Sequence, residues 1–440
     1  MPMDMVKARR SWYFYDFANS AFSTTVISVF LGPYLTGLAQ DNSNSNGFIS
    51  VLGINMAAES LFPYTVSLSV FLQVFTLPLI GALADHVKSR TNMLGLLAGI
   101  GSVATMLMYL VVGETYQLGA LLLVVANLAF GASIVVYNSY LPDISAPSDR
   151  DAVSSKGWGL GYLGGGLLLL MNVAFFLSAE SLGVAESDAV RISLLSAGAW
   201  WLLFTLIPYR GLRQLNREQG KVGMAAVKVS MRDLKNTFKD ARKYPQTLKF
   251  LIAYLLYNDG IQTVIALAGT YAAIELDLAQ SDLITAILIV QFVALFGALL
   301  LGKAASIWGS KTVLLGSLIL WTVTLVVAYG LPVGQALPYY LLAAAIGLGL
   351  GGSQALSRSL YSQMIPRTQE AQYFAVYEIS ERGTSWIGTF LFGLSLTVTG
   401  SYRISIVALI IFFILGGLIL ARTNIRLAIS EAGNEQPSKV

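Results

Sequence analysis

Apolar residues in this chain come in blocks of about 20, separated by short polar breaks. Twelve blocks can be read, near 12–38, 61–85, 92–112, 117–141, 157–178, 190–208, 248–273, 283–302, 312–330, 337–361, 374–397 and 403–421. Each is long enough to cross a bilayer. The runs are continuous rather than alternating, which excludes a membrane barrel, so the spanning backbone must be helical. The pattern predicts an all-α integral membrane protein of 12 transmembrane helices in two pseudo-symmetric halves. Residues 1–208 form the N-terminal six-helix half and 248–427 the C-terminal one, with a cytoplasmic linker at 209–247. In the linker, Val227, Met231, Leu234 and Phe238 share one helical face, and Arg232, Lys235, Lys239, Arg242 and Lys243 line others. That spacing predicts an amphipathic helix on the inner membrane surface; a plain solvated linker helix reads equally well. The stretch 39–60, with Asn42-Ser-Asn-Ser-Asn46, reads as a flexible external connection, and 428–440 as a disordered tail.

The division into halves rests on an internal echo. Gly81-Ala-Leu-Ala-Asp85-His-Val-Lys88-Ser-Arg90 returns as Gly302-Lys-Ala-Ala-Ser306-Ile-Trp-Gly-Ser-Lys311, 221 positions later, with Ser306 where the first copy has Asp85. Tyr137-Asn-Ser-Tyr-Leu-Pro142 is likewise echoed by Tyr361-Ser-Gln-Met-Ile-Pro366. Duplicated membrane halves belong to solute transporters, which place their site between the repeats.

Composition narrows the reading. The chain is 55% hydrophobic and 12% charged, with mean hydropathy +0.66; soluble proteins carry about twice that charged fraction. Cys is absent and His occurs once, so disulfides, thiolate chemistry and a metal site are not expected. The polar first ten residues run straight into a full-length apolar segment, so no cleavable signal peptide is expected. The net charge of +4 is a topology signal rather than a nucleic-acid patch. With the N-terminus inside, the inner loops collect Lys7, Arg9, Arg10, Lys88, Arg90, Arg150, Lys156, Lys303, Lys311, Arg367 and Arg422, and 209–249 adds eleven Lys/Arg against three acids. The outer loops hold Arg191 and Arg403 among many acids. Both termini are therefore expected in the cytoplasm.

Charged and amide side chains inside the apolar runs carry the candidate chemistry, because a charge at the bilayer centre costs at least ~3 kcal/mol. Asp16 and Asn19 share a face of the first segment with Ser20 and Ser23. Asp259 and Gln262 do so in the seventh with Thr263, Ala266 and Thr270, and Asn258 lies beside them. Gln354 and Arg358 mark the tenth with Ser357 and Tyr361, and Asn138 marks the fourth beside Tyr137. Helices one, four, seven and ten thus carry polar stripes that can surround a solvent-filled path for a small polar solute or a coupling ion. The alternatives are hydrogen bonds that merely hold helix to helix and, for Asp16, a place at the cytoplasmic rim. Glu378, Glu381 and Arg382 open the eleventh helix, with Glu378 and Arg382 spaced to pair. They read either as an edge ion pair or as gate partners for Asp85 or Arg90. The glycines at 157, 159, 161 and 164–166 are spacers for close helix approach. No Gly-Lys-Ser/Thr phosphate loop occurs, so ATP is not indicated.

Gly81–Arg90 resembles the loop between the second and third helices of the major facilitator superfamily, although its second glycine is missing and His86 replaces the usual base. The resemblance implies a cytoplasmic gate built from Gly81, Asp85 and Arg90, with Asp85 capping the eleventh helix; Ser306 implies no charged latch in the second half. Trp12-Tyr-Phe-Tyr-Asp16-Phe-Ala-Asn19, Tyr137-Asn138-Ser-Tyr-Leu-Pro142 and Gly351-Gly-Ser-Gln354-Ala-Leu-Ser-Arg358 are similar to the vacuole-effluxer-like branch of that superfamily. That implies efflux of amino acids or similar solutes by alternating access. The expectation is a cofactor-free, monomeric secondary transporter, proton-coupled through Asp16 and Asp259, in a bacterial plasma membrane. No acid/base or metal constellation suggests an enzyme. The rivals are a facilitative uniporter and a solute sensor or scaffold without net transport.

Overall fold

The computed structural model describes residues 3–51, 53–215, 243–382 and 385–440. Eleven helical spans long and apolar enough to cross a membrane lie among them: Met5–Asp41, Ala58–His86, Arg90–Leu110, Gly113–Ile144, Pro147–Leu177, Glu186–Gly211, Pro245–Ile274, Gln280–Trp308, Ser310–Tyr329, Ala336–Gln363 and Tyr402–Ala421. The predicted segment at 374–397 is met by helices Glu370–Arg382 and Ser385–Thr399, which complete twelve. The spans are counted one to twelve below. The linker residues 216–242, and with them most of the predicted amphipathic helix, lie outside the described residues.

Each half has its own apolar core, and each lends residues to the other. The C-terminal core takes in Tyr162 of the fifth span. The N-terminal core takes in Ala371 and Ala375 of the eleventh. The fifth span lies on the first through its glycines: a Cβ on Gly161 would sit 2.9 Å from Ser20 Oγ, and one on Gly164 would strike the Phe17 carbonyl. Small residues are what let two backbones meet at that range.

The first span departs from regular α geometry. Phe22–Phe30 is π-helical, with Ser28 Oγ donating to Ser23 O at 2.8 Å, and Pro33 follows one turn later. Proline has no N–H and crowds the preceding turn, which favours a locally widened ladder. The widened stretch begins just past the Asp16–Ser20 stripe.

Two expectations about the ends of the fold are corrected. The 39–60 connection is folded: Phe48–Val51 pairs antiparallel with Ile54–Ala57. Ile49 and Ala58 bury a small cluster with Leu35, Leu61 and Tyr116, and Gln117 donates to Ser50 O. Its Asn/Ser run looked like a linker, yet it supplies the turn, where Asn44 Oδ1 accepts from Asn46 and Phe48 N–H groups. The tail at 428–440 is likewise docked. Helix Ile425–Glu431 buries Ala428 and Ile429, and Asn434 Nδ2 donates to Gln363 O and Ile365 O.

Candidate functional site

The two halves meet in a central polar layer centred on Arg358, which is 1% exposed. Its Nη1 donates to Asp16 Oδ2 at 3.0 Å and to Asn138 Oδ1 at 3.3 Å. Its Nε and Nη2 reach Ser154 Oγ and Ser154 O at 3.0 and 2.9 Å. The guanidinium lies 4.9 Å from the Trp12 ring, 5.2 Å from Trp158 and 5.6 Å from Tyr137. Tyr137 OH donates to the same Asp16 oxygen at 2.7 Å, and Trp12 Nε1 to Tyr137 O. An arginine in such an apolar cage is held only because every face has a partner. The pair ties span one to span ten, across the halves. Asp16 is thus buried between the halves.

The layer continues through the eleventh span. Asn138 Nδ2 donates to Glu378 Oε1 at 2.9 Å, and Arg382 Nε to Glu378 Oε2 at 3.3 Å. Arg382 also lies over the Phe130 ring. Tyr254 OH donates to Glu381 Oε2, Asn258 Nδ2 to Glu381 O, and Gln354 Nε2 to Asn258 Oδ1. The expected Glu378–Arg382 pair is present. These residues, however, join the Arg358 network through Asn138, so Glu378, Glu381 and Arg382 belong to the central layer; the expectation that they partner Asp85 or Arg90 is corrected. Helical periodicity carries 378–382 about two to three turns beyond the Asp85 contact at 371–372.

Several buried polar atoms in this region have no partner among the described residues: Thr263 Oγ1, Gln354 Oε1, Asn19 Nδ2 and Trp158 Nε1. The Asp259 carboxylate is approached by the backbone of Gly388 and, among the described residues, by no cation. Asp259 and Thr263 sit one turn apart, and a Cβ on Gly388 would strike Thr263 Oγ1 and lie 3.2 Å from Asp259 Oδ2. Each unpartnered atom costs roughly 1–3 kcal/mol unless something bonds it. Gln262 is only half-buried and makes no side-chain hydrogen bond among the described residues, so it stays outside the network. Asp16, Glu378, Glu381 and Asp259 outnumber Arg358 and Arg382, so the layer is formally acidic.

The gate residues form a separate layer at the end that holds the N-terminus and residues 87–89, 145–149 and 364–369, called here the basic end. Asp85 Oδ1 and Oδ2 accept from Ala371 N and Gln372 N at 3.0 and 2.9 Å, capping the eleventh span. A Cβ on Gly81 would meet Ala371 O at 2.5 Å. Arg90 pairs with Asp143 and lies 4.4 Å from the Tyr140 ring. Arg150 Nη1 donates to Ser362 O and Arg367 Nη1 to Pro142 O, so each half clasps the other's fourth or tenth span at matching places.

Trp12, Tyr137, Ser154, Trp158, Tyr254, Asp143 and Asp151 were not among the expected site residues. Trp12 and Tyr137 lie within the stretches that carry the family resemblance. A lone Ser154 ahead of a glycine run gives no signal of its own.

The vacuole effluxer Atg22-like family model matches residues 4–433. An uncharacterised MFS-type transporter, YxiO of Bacillus subtilis (strain 168), is 29% identical over 94% of each chain. Autophagy-related protein 22-2 of Aspergillus niger is 25% identical over 91% of this chain and 80% of its own. Among solved structures, a bacterial homologue of the iron transporter ferroportin in an outward-facing state superposes with TM-score 0.68 at 14% identity, covering 96% of this chain and 99% of its own. The proton:xylose symporter XylE superposes with TM-score 0.67, also at 14% identity, covering 95% and 94%. The chain is therefore a multi-pass membrane protein with the major facilitator fold, of a superfamily of secondary transporters, and it belongs to the vacuole effluxer Atg22-like family.

Proposed function

We propose that this protein exports an amino acid or similar small zwitterion by alternating access, as a monomer, driven by protons. The observation that carries the reading is a buried carboxylate that no cation meets among the described residues, together with unpartnered polar atoms between the halves. Asp259 offers two carboxylate oxygens from the C-terminal half, and Trp158 offers an indole N–H from the N-terminal half. Neither role depends on how an amide is oriented. A zwitterion satisfies both, its ammonium group on Asp259 and its carboxylate on Trp158, with Gln354 and Asn19 beside them. The acidic balance of the layer favours the ammonium end, and the family's effluxer name favours export.

The basic end is the cytoplasmic one, from its Lys/Arg excess, and the membrane is a bacterial plasma membrane, as for the Bacillus relative. Asp85, Arg90, Arg150 and Arg367 then close the cytoplasmic side in this conformation. Asp16 couples the proton to the gate. Protonating it removes its attraction for Arg358 and loosens the tie between spans one and ten. Asp259, which no cation meets, is the second proton carrier. Proteoliposomes loaded with labelled amino acids test the proposal: an imposed pH gradient should drive flux, and Asp16→Asn should uncouple it. Flux indifferent to the gradient would leave a uniporter, and binding without flux a sensor.

A further inference from the structure

A cavity outside the transport path opens at the basic end of the C-terminal half. It has a volume of about 340 Å³ and is walled by the first turn of the ninth span, by the turn that follows the twelfth and by Val440 of the docked tail, whose main-chain carbonyl lies against Gly309. Lys311, Arg422 and Arg426 line it, and no acidic side chain does among the described residues. Lys311 is spent on the helix end, its Nζ donating to Ala421 O and Thr423 O at 2.8 and 2.9 Å. Lys249 adjoins the cavity, donating to Arg422 O at 2.7 Å. The side chains of Arg422 and Arg426 are exposed and make no ion pair among the described residues. Four cations thus gather around a recess, and the two with forked donors face out unpaired.

The depth of the recess matters as much as its charge. The twelfth span ends at Ala421, so Arg422 and Arg426 stand one and five residues past the apolar run, at the level of lipid headgroups. The docked tail makes it a recess rather than a flat patch: Asn434 and Lys439 fasten the tail to Gln363 O, Ile365 O and Ile307 O.

We propose that this cavity binds the phosphate of an anionic phospholipid headgroup, with Arg422 and Arg426 as the recognising pair and Lys311 fixing the wall. Arginine forks suit phosphate bidentately, and basic recesses beside membrane helices on the cytoplasmic side are suited to anionic headgroups. A bound lipid would brace the turn between the eighth and ninth spans, on which the tail lies. The inference does not rest on the proposed solute or coupling, so a failed flux assay leaves it standing.

Native mass spectrometry of the purified full chain, re-lipidated with phosphatidylglycerol or phosphatidylcholine, tests it. The expected result is retention of phosphatidylglycerol over phosphatidylcholine by roughly tenfold or more, lost in Arg422→Gln/Arg426→Gln. Both substituted side chains are exposed, and a melting temperature close to the parent's checks that the variant folds. Excess inorganic phosphate should not displace the lipid. Equal retention of the two lipids, unchanged preference in the double variant, or filling by inorganic phosphate without lipid preference would each overturn the proposal.

Discussion

The two copies of the duplicated loop close the same end of the bundle by different means. In both, a glycine lets a span of one half lie against a span of the other. Gly81 meets Ala371 on the eleventh span, and Gly302 meets Ser155 on the fifth. The acid has changed sides. Asp85, at the end of the second span, caps two N–H groups of the eleventh. Among the described residues Ser306 donates only to Lys303 O in its own helix. The acid of the second lock is Asp151, in the first turn of the fifth span, which accepts from Ser310 Oγ and, at 2.6 Å, from Ser359 Oγ. The loop of the second half thus has no acid of its own, and the charge at this seam sits on the partner helix, in the first half.

The packing differs in the same sense. The eighth span follows the fifth along its length, from Gly302 on Ser155, through Leu295 on Gly159, to Gln291 on Gly166. The second span packs on Glu370–Arg382, whereas Ser385–Thr399 packs on the seventh span and on Tyr402–Ala408. One lock has the form of a hinge and the other of a latch. Opening the basic end should begin at spans two and eleven and pivot on spans five and eight.

Arg358→Ala should break the comparison altogether, because Arg358 binds both Asp16 and the hinge residue Ser154. It leaves Asp16 buried with only Tyr137, a loss of roughly 3–5 kcal/mol. Thermal unfolding should drop by many degrees and solute binding should vanish. Asp16→Asn/Arg358→Gln removes both charges and should recover much of that stability without recovering transport; equal melting of the two variants would refute the central role of the pair.

Valine at the two glycines separates latch from hinge. Overpacking costs roughly 1–3 kcal/mol in either place. Gly302→Val strikes a contact that persists, so the cost should appear as lowered thermal stability. Gly81→Val strikes a contact made only when the end is closed, so the cost should appear as a shift toward the open form. The chain has no native cysteine, so cross-linking of introduced cysteine pairs across spans two and eleven reads that shift directly. Equal destabilisation by both valines would erase the distinction.

The acids should differ less. Asp85→Asn loses the charged cap, about 1 kcal/mol, and should cut transport several-fold while sparing solute binding. Asp151→Asn keeps an oxygen that can accept from a serine hydroxyl and should cost about half as much in initial flux. The reverse order would place the latch at spans five and eight.

What could be read from the sequence divides along similar lines. The spans and the halves were legible, because twenty-residue apolar runs and a repeated loop each leave a local mark; the Asp85 cap followed only from the resemblance of Gly81–Arg90 to a known loop. Asp16, Asn138, Gln354 and Arg358 were legible as charged or amide residues in apolar surroundings. Their assembly with Glu378 and Glu381 was not, because depth along the eleventh span depends on where packing sets its start. Asp151 was invisible for a related reason: beside Asp149 and Arg150, ahead of the 157–178 apolar run, it has the appearance of a loop residue. The docked tail and the 39–60 hairpin were misread because polar composition marks both loose chain and tightly bonded turns.

The weakest change tests the comparison most finely. If the worn loop had merely lost its acid, Ser306→Asp would restore a second Asp85. The structure argues otherwise, because Asp85 is 2% exposed whereas Ser306 faces solvent. An aspartate at 306 would stay hydrated, while Asp151 already holds the hydroxyls of Ser310 and Ser359. It should therefore alter stability by no more than about 0.5 kcal/mol, as at an ordinary surface position, and leave flux unchanged. A clear gain in closure, read by cross-linking across spans five and eight, would mean that the acid had been lost from a working latch rather than moved to the facing helix.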